Sequence, residues 1–283
     1  MMKATGILYI VATPIGNLED ITLRALRVLK ECDFIIAEDT RRSRQLLEHY
    51  EIKTSFDLSV YQGVEEERVE PIIEKLKAGA SIALISDAGT PLISDPGFIV
   101  VRQAVAEKIR IIPVPGPTAL VAALVVSGFP TDHFVFEGTP PKKPKARREY
   151  FERLKNETRT VVFYESPHRV VDTLESMAEL LSNRSIALGR ELTKTYEEIL
   201  RGTPTEILQT LKSRESIKGE ITIVIAGTDE ACQAEEWTQL SVIEHLQQLI
   251  AQGMDKKGAI KRVARLRGLR KQDVYNEALK VQL

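Results

Sequence analysis

The 283-residue sequence predicts an α/β protein: a parallel-sheet N-terminal domain over residues 1–117, a mixed-sheet second domain over 118–228, and a linker with a small basic helical module over 229–283. Three observations lead there. Short apolar runs alternate with helical patterns up to residue 117. After residue 127 several strand-like runs follow one another over short links. Beyond residue 239 three helical patterns occur with no strand between them. The length corresponds to about two domains of roughly 150 residues, enough for substantial buried cores.

In chain order, GILYIVA, DFIIAED, SIALIS and IRIIPV read as strands, and EDITLRALRVLKE, the segment from Arg44 to Tyr50, residues 64–78 and FIVVRQAVAEK read as helices. The strands are almost wholly apolar, as parallel strands covered on both faces should be. An apolar helix at 117–127 leads into HFVFEG, a basic Pro-rich loop, RTVVFYE, a helix at 168–181, SIALGREL, YEEILRG and GEITIVIAG. The stretch GTDEACQAEEW, residues 227–237, is acidic and aperiodic, and the linker is read over 229–239.

Charged residues make up 28% of the chain, apolar ones 43%, and the formal net charge is −1, so any attraction for nucleic acid must be local. Cys32 and Cys232 stand far apart with no CxxC or His-Cys cluster, which argues against a disulfide framework, structural zinc or any other metal site and fits a reducing cytoplasm. The apolar stretch at 6–12 is too short for a signal peptide, and the run at 120–126 is far short of a membrane span. No membrane association is expected.

The most informative stretch is SIALISDAGTPLISDPG, residues 81–97. A strand runs into a turn of small residues carrying Asp87 and Asp95 and no lysine. There is no GxxxxGK[ST], and VATPIGNLED stands where a GxGxxG would follow the first strand. A phosphate ligand wants backbone N–H groups at a helix start or a nearby cation; this loop offers carboxylates. S-adenosylmethionine suits it, because its sulfonium and ammonium groups carry positive charge and it has no phosphate. Small residues let main-chain atoms approach such a ligand closely.

Four segments in order extend the argument: LYIVATPIGNLEDITLRAL (8–26), AEDTRRSRQLL (37–47), ISDAGTPLISDPG (85–97) with PVPGPTA (113–119), and FYESPHR (163–169) with GRELTKTYEE (189–198). On these segments the chain resembles the tetrapyrrole methylase superfamily, whose members bind S-adenosylmethionine between two α/β domains, and most of all the members that methylate a cytidine ribose 2′-hydroxyl in 16S ribosomal RNA. The resemblance implies a homodimer, a two-domain tetrapyrrole-methylase-like fold, and cofactor contacts from Pro14, Ala88, Gly89, Thr90, Ile93, Thr118, Ala119, Tyr164 and Leu192. Its partner would be 16S rRNA or the small ribosomal subunit. Two other functions are weighed against it: a C-methyltransferase for a corrin or porphyrin precursor, and a non-catalytic RNA-binding protein on the same fold.

A ribose hydroxyl is a poor nucleophile until its proton leaves, so a base within hydrogen-bond reach would help. Asp87, Glu165 and His168 are the candidates, with Glu165 preferred, and the residues leave the choice open. For substrate RNA, Arg41 and Arg42 open a helix whose dipole they oppose, which phosphate contact would explain. KKPKARR places Lys142, Lys143, Lys145, Arg147 and Arg148 in a loop that would act as a phosphate-binding flap, and Arg169 joins the substrate set. From Met254 to Leu283, nine Lys or Arg stand against three Asp or Glu, a net of +6, on two helical patterns around Gly268. That spacing is helix-turn-helix-like, and its charge favours RNA docking.

Overall fold

A computed structural model describes residues 6–59, 65–228, 240–251 and 253–279; the expected linker at 229–239 lies outside the described residues. The first sheet is parallel throughout, in the order β3-β2-β4-β1-β5, with β1 (Ile7–Val11), β2 (Phe34–Ala37), β3 (Phe56–Ser59), β4 (Ser81–Ile85) and β5 (Arg110–Val114). The strand at 56–59 had no counterpart in the sequence reading; FDLS carries too little apolar character to stand out.

Helices cover both faces, as continuous apolar strands require. On one face α1 (Leu23–Glu31) and α2 (Thr40–His49) bury Ala25, Val28, Leu29 and Leu47 against Val11, Ile35 and Ile85. On the other, α3 (Glu65–Lys77) and α4 (Phe98–Ala106) bury Ile72, Leu76, Val100 and Ala104 against Leu8, Ile36, Ile82 and Leu84. The starts of α1 and α2 are fixed by caps: Thr22 accepts from the Ala25 N–H and Asp39 from the Arg41 N–H.

The second sheet is mixed, in the order β6-β7-β10-β8-β9. Here β6 (Phe134–Phe136) is parallel to β7 (Thr160–Glu165), while β10 (Ile221–Ile225) runs antiparallel to β7 and to β8 (Ile186–Arg190), and β8 antiparallel to β9 (Glu198–Gly202). One face packs on α5 (Ala119–Ser127), whose Leu120, Ala123 and Leu124 meet Val162, Ala187 and Val224, with Ile15 of the first loop in the same cluster. The other face carries α6 (Pro144–Leu154), α7 (Val170–Leu180) and α8 (Pro204–Lys212). Tyr150 and Phe151 of α6 set their rings edge-on to Phe163, with centroids 6.4 and 6.1 Å away.

KKPKARR corrects the sequence reading. Helix α6 begins at Pro144, so Lys145, Arg147 and Arg148 lie on its first turns and not in a flap. Proline at a first helical position gives up an N–H that has no intrahelical partner there, and its fixed φ is already helical.

Residues 1–153 with 159–226 form one compact unit, and residues 154–158 with 227–283 a second. Taken by itself, the second unit has three described helices, α9 (Val242–Ala251), α10 (Lys256–Leu266) and α11 (Lys271–Leu279), around Leu246, Leu249, Ile260, Val263 and Val274. Gly268, at φ 64°, stands in the turn between α10 and α11. The Arg267 guanidinium donates to the Leu240 carbonyl at 2.7 Å and to His245 Nδ1 at 3.3 Å. Burial, helped by Arg267 and Arg262, holds the His245 imidazole below the usual histidine range.

Candidate functional site

The strand order of the first sheet creates the site. The chain leaves β1 toward β2 and leaves β4 toward β5, in opposite directions, although β1 and β4 are neighbours. Loops that part in this way open a crevice beyond the carboxyl ends of the strands, the usual ligand position in an open α/β sheet. Here the parting loops are stitched together. The Thr13 N–H donates to the Gly89 carbonyl at 2.8 Å and the Gly89 N–H to the Thr13 carbonyl at 3.0 Å. Thr13 Oγ1 donates to the Ser86 carbonyl, and Thr90 Oγ1 to the Pro117 carbonyl at 3.2 Å each. The loops after β1, β4 and β5 are thus held as one rim.

A cavity of about 270 Å³ opens beside that rim. Ala88, Gly89, Thr90, Ile93, Thr118, Ala119 and Tyr164 all line it. Pro14 and Leu192 are not lining residues; Pro14 is buried next to Ile15, and Leu192 packs in the cluster with Ile15. Gly89 holds φ at 86°, and a Cβ there would approach Ile15 Cγ2 to 3.1 Å. The Leu120 N–H donates to the Tyr164 hydroxyl at 3.3 Å, and burial raises the phenol above its ordinary range.

Asp95 and Glu220 also line the cavity, and no lysine or arginine does. The sequence reading left both out of the site. Asp95 had a signal, an acid at the end of a loop of small residues; Glu220 had none, since only strand pairing brings the start of β10 beside Tyr164. The Asp95 carboxyl is pushed up to about 6, first by burial and then by repulsion from Asp87 and Glu220, with a hydrogen bond from Ser86 working the other way. Glu38 is raised as well, by burial and then by Asp95 and Asp87. Four carboxylates, Glu38, Asp87, Asp95 and Glu220, therefore crowd the loop; Arg42 meets Asp87 and Lys194 meets Glu220, and a cation arriving beside Asp95 relieves the remaining repulsion.

The sequence candidates for a base fare differently. Tyr164 and Glu165 alternate across β7, so Tyr164 faces the α5 side and Glu165 faces α7. Glu165 contributes to the cavity wall, but its side chain has no exposed surface. Its Oε1 accepts from the Ser166 N–H at 2.7 Å and its Oε2 from Thr173 Oγ1 at 2.6 Å, with Arg169 Nη2 at 3.6 Å. Full burial of its side chain and these partners hold the carboxylate on the α7 side, which argues against the preference for Glu165 as the base. Truncating it to Ala strands the Arg169 charge and the Thr173 hydroxyl and is expected to cost about 3 kcal/mol, read by urea denaturation. His168 is exposed on the turn after β7. Asp87 accepts from the Asp39 N–H at 2.9 Å and pairs with Arg42 at 3.6 Å.

The expected RNA contacts divide. Arg41 is 90% exposed and Arg42 72%, and the charges that oppose the α2 dipole are met by Asp39 at 2.9 Å and by Asp87. The Arg41 hydrogen bonds hold Asp39 down to about 2. Lys142, Lys143, Lys145 and Arg148 are exposed, with Arg148 paired to Glu179 at 2.6 Å. Two residues leave the set. Arg147 is buried, donating from Nε to Ser176 Oγ at 3.1 Å with Asp172 at 3.6 Å. Arg169 turns inward and donates to the Pro140 carbonyl at 2.6 Å. Both tie α7 to the segment before it and face protein, not solvent.

The donor set fits S-adenosylmethionine: an apolar wall of Ile15, Ile93 and Ala119, main-chain groups at Gly89, and carboxylates for a cation. Among the described residues no cluster of His, Cys, Asp and Glu has metal-binding geometry.

The comparisons agree. Residues 7–208 match the model of the tetrapyrrole (corrin/porphyrin) methylases. Ribosomal RNA small subunit methyltransferase I of Halalkalibacterium halodurans is 48% identical over 273 residues, covering 96% of this chain and 94% of that protein. The protein of the same name from Haemophilus influenzae is 46% identical over 281 residues, covering 99% and 98%. A crystal structure of uroporphyrin-III C-methyl transferase from Thermus thermophilus complexed with S-adenyl homocysteine has the same fold, with a TM-score of 0.54 at 17% identity over 77% of this chain and 97% of that one. The chain belongs to the tetrapyrrole (corrin/porphyrin) methylase family and, within it, to the ribosomal RNA small-subunit methyltransferases I.

Proposed function

We propose that this methyltransferase uses S-adenosylmethionine to methylate the ribose 2′-hydroxyl of a cytidine in 16S ribosomal RNA. The observation that carries the reading is the cavity where β1 and β4 part, which offers carboxylates and no cation to its ligand. The relatives, similar over nearly the whole chain, support ribosomal RNA as the substrate ahead of a corrin or porphyrin precursor or a purely binding role.

Bound S-adenosylmethionine supplies a methyl carbon activated by its sulfonium. The chain supplies position and charge. Gly89, Thr90, Thr118 and Ala119 hold the donor through close main-chain approach, with Tyr164 on the second-sheet wall. Pro14 and Leu192 support that rim from behind. Asp95 takes the proton of the acceptor hydroxyl, since it lines the cavity, whereas among the sequence candidates Glu165 is held toward α7, His168 stands in solvent, and Asp87 pairs with Arg42 and does not line the cavity. An oxygen nucleophile deprotonated as it attacks, and held in line, accounts for much of the rate such an enzyme needs.

Exposed Arg41, Arg42, Lys142, Lys143, Lys145 and Arg148 bind phosphates of the RNA, as do Lys256, Lys257, Lys261, Arg270 and Lys271 of the helical module. Apolar side chains left exposed on α4 and α5, among them Phe98, Val105, Val121 and Val125, support a homodimer. No described helix is long and apolar enough to cross a membrane, and the protein acts in the cytoplasm, where its substrate is assembled. Mass-spectrometric mapping of ribose methylation in rRNA from cells with and without the protein tests the reading. One cytidine should lose its 2′-O-methyl group; an unchanged map removes the RNA assignment.

A further inference from the structure

The loop joining β8 to β9, residues 191–197, is built to hold one side chain outward. Glu191 and Thr193 adopt left-handed backbone at φ 51° and 67°, a conformation that non-glycine residues keep only where their surroundings over-determine it. The surroundings do so. The Thr193 N–H donates to Glu197 Oε2 at 2.6 Å, and the Asn17 N–H of the first loop donates to Thr193 Oγ1 at 3.1 Å. Lys194 Nζ bridges the carboxylates of Glu191 and Glu220 at 2.8 and 3.0 Å. At the tip stands Tyr196, 74% exposed. An aromatic ring on a braced loop gains nothing for the core from being there.

Tyr196 lines an open groove of about 520 Å³ with three cations, Arg190, Arg214 and Lys218, and one acid, Glu215. Glu198 fixes the two guanidinium groups, with Arg190 Nε at 3.0 Å and Arg214 Nη2 at 2.6 Å. Lys218 is exposed at the rim. Cations beside an outward-facing ring are what single-stranded nucleic acid requires: every base has a face to stack, and every link has a phosphate. The groove also lies near the donor site. Lys218 of the groove stands two residues from Glu220 of the methyl-donor cavity, a span of at most about 7 Å of chain.

We propose that Tyr196 and the Arg190, Arg214 and Lys218 groove form a docking platform for single-stranded RNA flanking the methylated nucleotide, with the ring stacked on a base and the cations on phosphates. The proposal rests on RNA being the substrate, and the experiment separates the two. Binding is read as the anisotropy of a short fluorescein-labelled single-stranded oligoribonucleotide, and transfer as methylation of rRNA from cells lacking the protein.

Tyr196→Ala should weaken oligoribonucleotide binding by about five- to 150-fold, the range of one stacked base. It should raise KM for rRNA and leave kcat and the calorimetric affinity for S-adenosylmethionine near wild type. Tyr196→Phe keeps the ring and should restore binding. Lys218→Glu should weaken binding and flatten its salt dependence. If wild type methylates rRNA and Tyr196→Ala binds and reacts as wild type does, the platform is overturned. If wild type binds the oligoribonucleotide through Tyr196 yet leaves rRNA unmethylated, the platform stands and the substrate assignment falls. If wild type does neither, both fall.

Discussion

Replacing Asp95 by asparagine is expected to lower methyl transfer by about 10²- to 10⁴-fold, the range for removing a positioned base, and at the same time to make the fold more stable at neutral pH. Both effects have one cause. In the folded protein the carboxyl is raised to about 6 by burial and by Asp87 and Glu220, whereas in the unfolded chain it titrates near its ordinary value of about 4. The folded state therefore binds this proton more tightly. Stability from this group is complete below pH 4 and is lost as pH rises toward 6, where Asp95 ionises beside its acidic neighbours. Asparagine does not ionise, so the variant keeps that stability, on the order of 1 kcal/mol once partial exposure is allowed for.

The kinetic counterpart is a pH profile. Wild-type kcat/KM for RNA should rise through pH 6 to a plateau, as the base form of Asp95 becomes populated. The asparagine variant should be low and should lack that limb. Thermal melts at pH 3 and 7.5 complete the test, because these values lie outside the window from about 4 to about 6 over which this stability is lost. A variant that transfers methyl at the wild-type rate would remove Asp95 from the chemistry.

The second large effect is expected at Gly89. Valine there would force a left-handed backbone on an L side chain, at about 1–2 kcal/mol, and would press a Cβ to within 3.1 Å of Ile15 Cγ2 at the cavity wall. Affinity for S-adenosylmethionine should fall by about tenfold or more. Gly128 separates the causes, since it shares the left-handed φ, at 84°, with nothing within 4 Å of its would-be Cβ. Gly128→Ala should cost comparable stability, read by denaturant, and leave donor binding by calorimetry intact. Equal donor affinity in Gly89→Val and wild type would show that the turn does not hold the donor.

How far the site was legible depended on whether a residue's role is local. Ala88, Gly89 and Thr90 could be read because a bare turn after an apolar strand is informative by itself, and structure places them on the cavity. Thr118 and Ala119, in the loop and helix start after β5, came from the family resemblance alone, because ordinary turn and helix-start chemistry explains those residue types equally well. Glu165 could not be read correctly: its type and its place beside His168 suggest a base, but the pleat of β7 sends its carboxylate toward Thr173. Arg147 and Arg169 looked like two more cations in basic or motif segments until packing against α7 drew them inward. Tyr196 gave no signal in GRELTKTYEE, since exposure is set by the bracing of its loop against Asn17 and Glu220.

By itself the sequence determined the class of fold, the cation-free turn and the chemistry of the ligand it admits. Each of these follows from residue type and period along a few consecutive positions: apolar runs at strand length, small residues in a bend, acids without bases. Tertiary structure alone decided which carboxylate faces the cavity and which arginines face solvent. Asp95 meets Glu220 only because β10 pairs with β7, and Arg147 lies buried only because α6 and α7 pack side by side. Burial and the repulsion of distant like charges set the ionisation of such groups, and both are fixed by contacts between residues far apart in the chain.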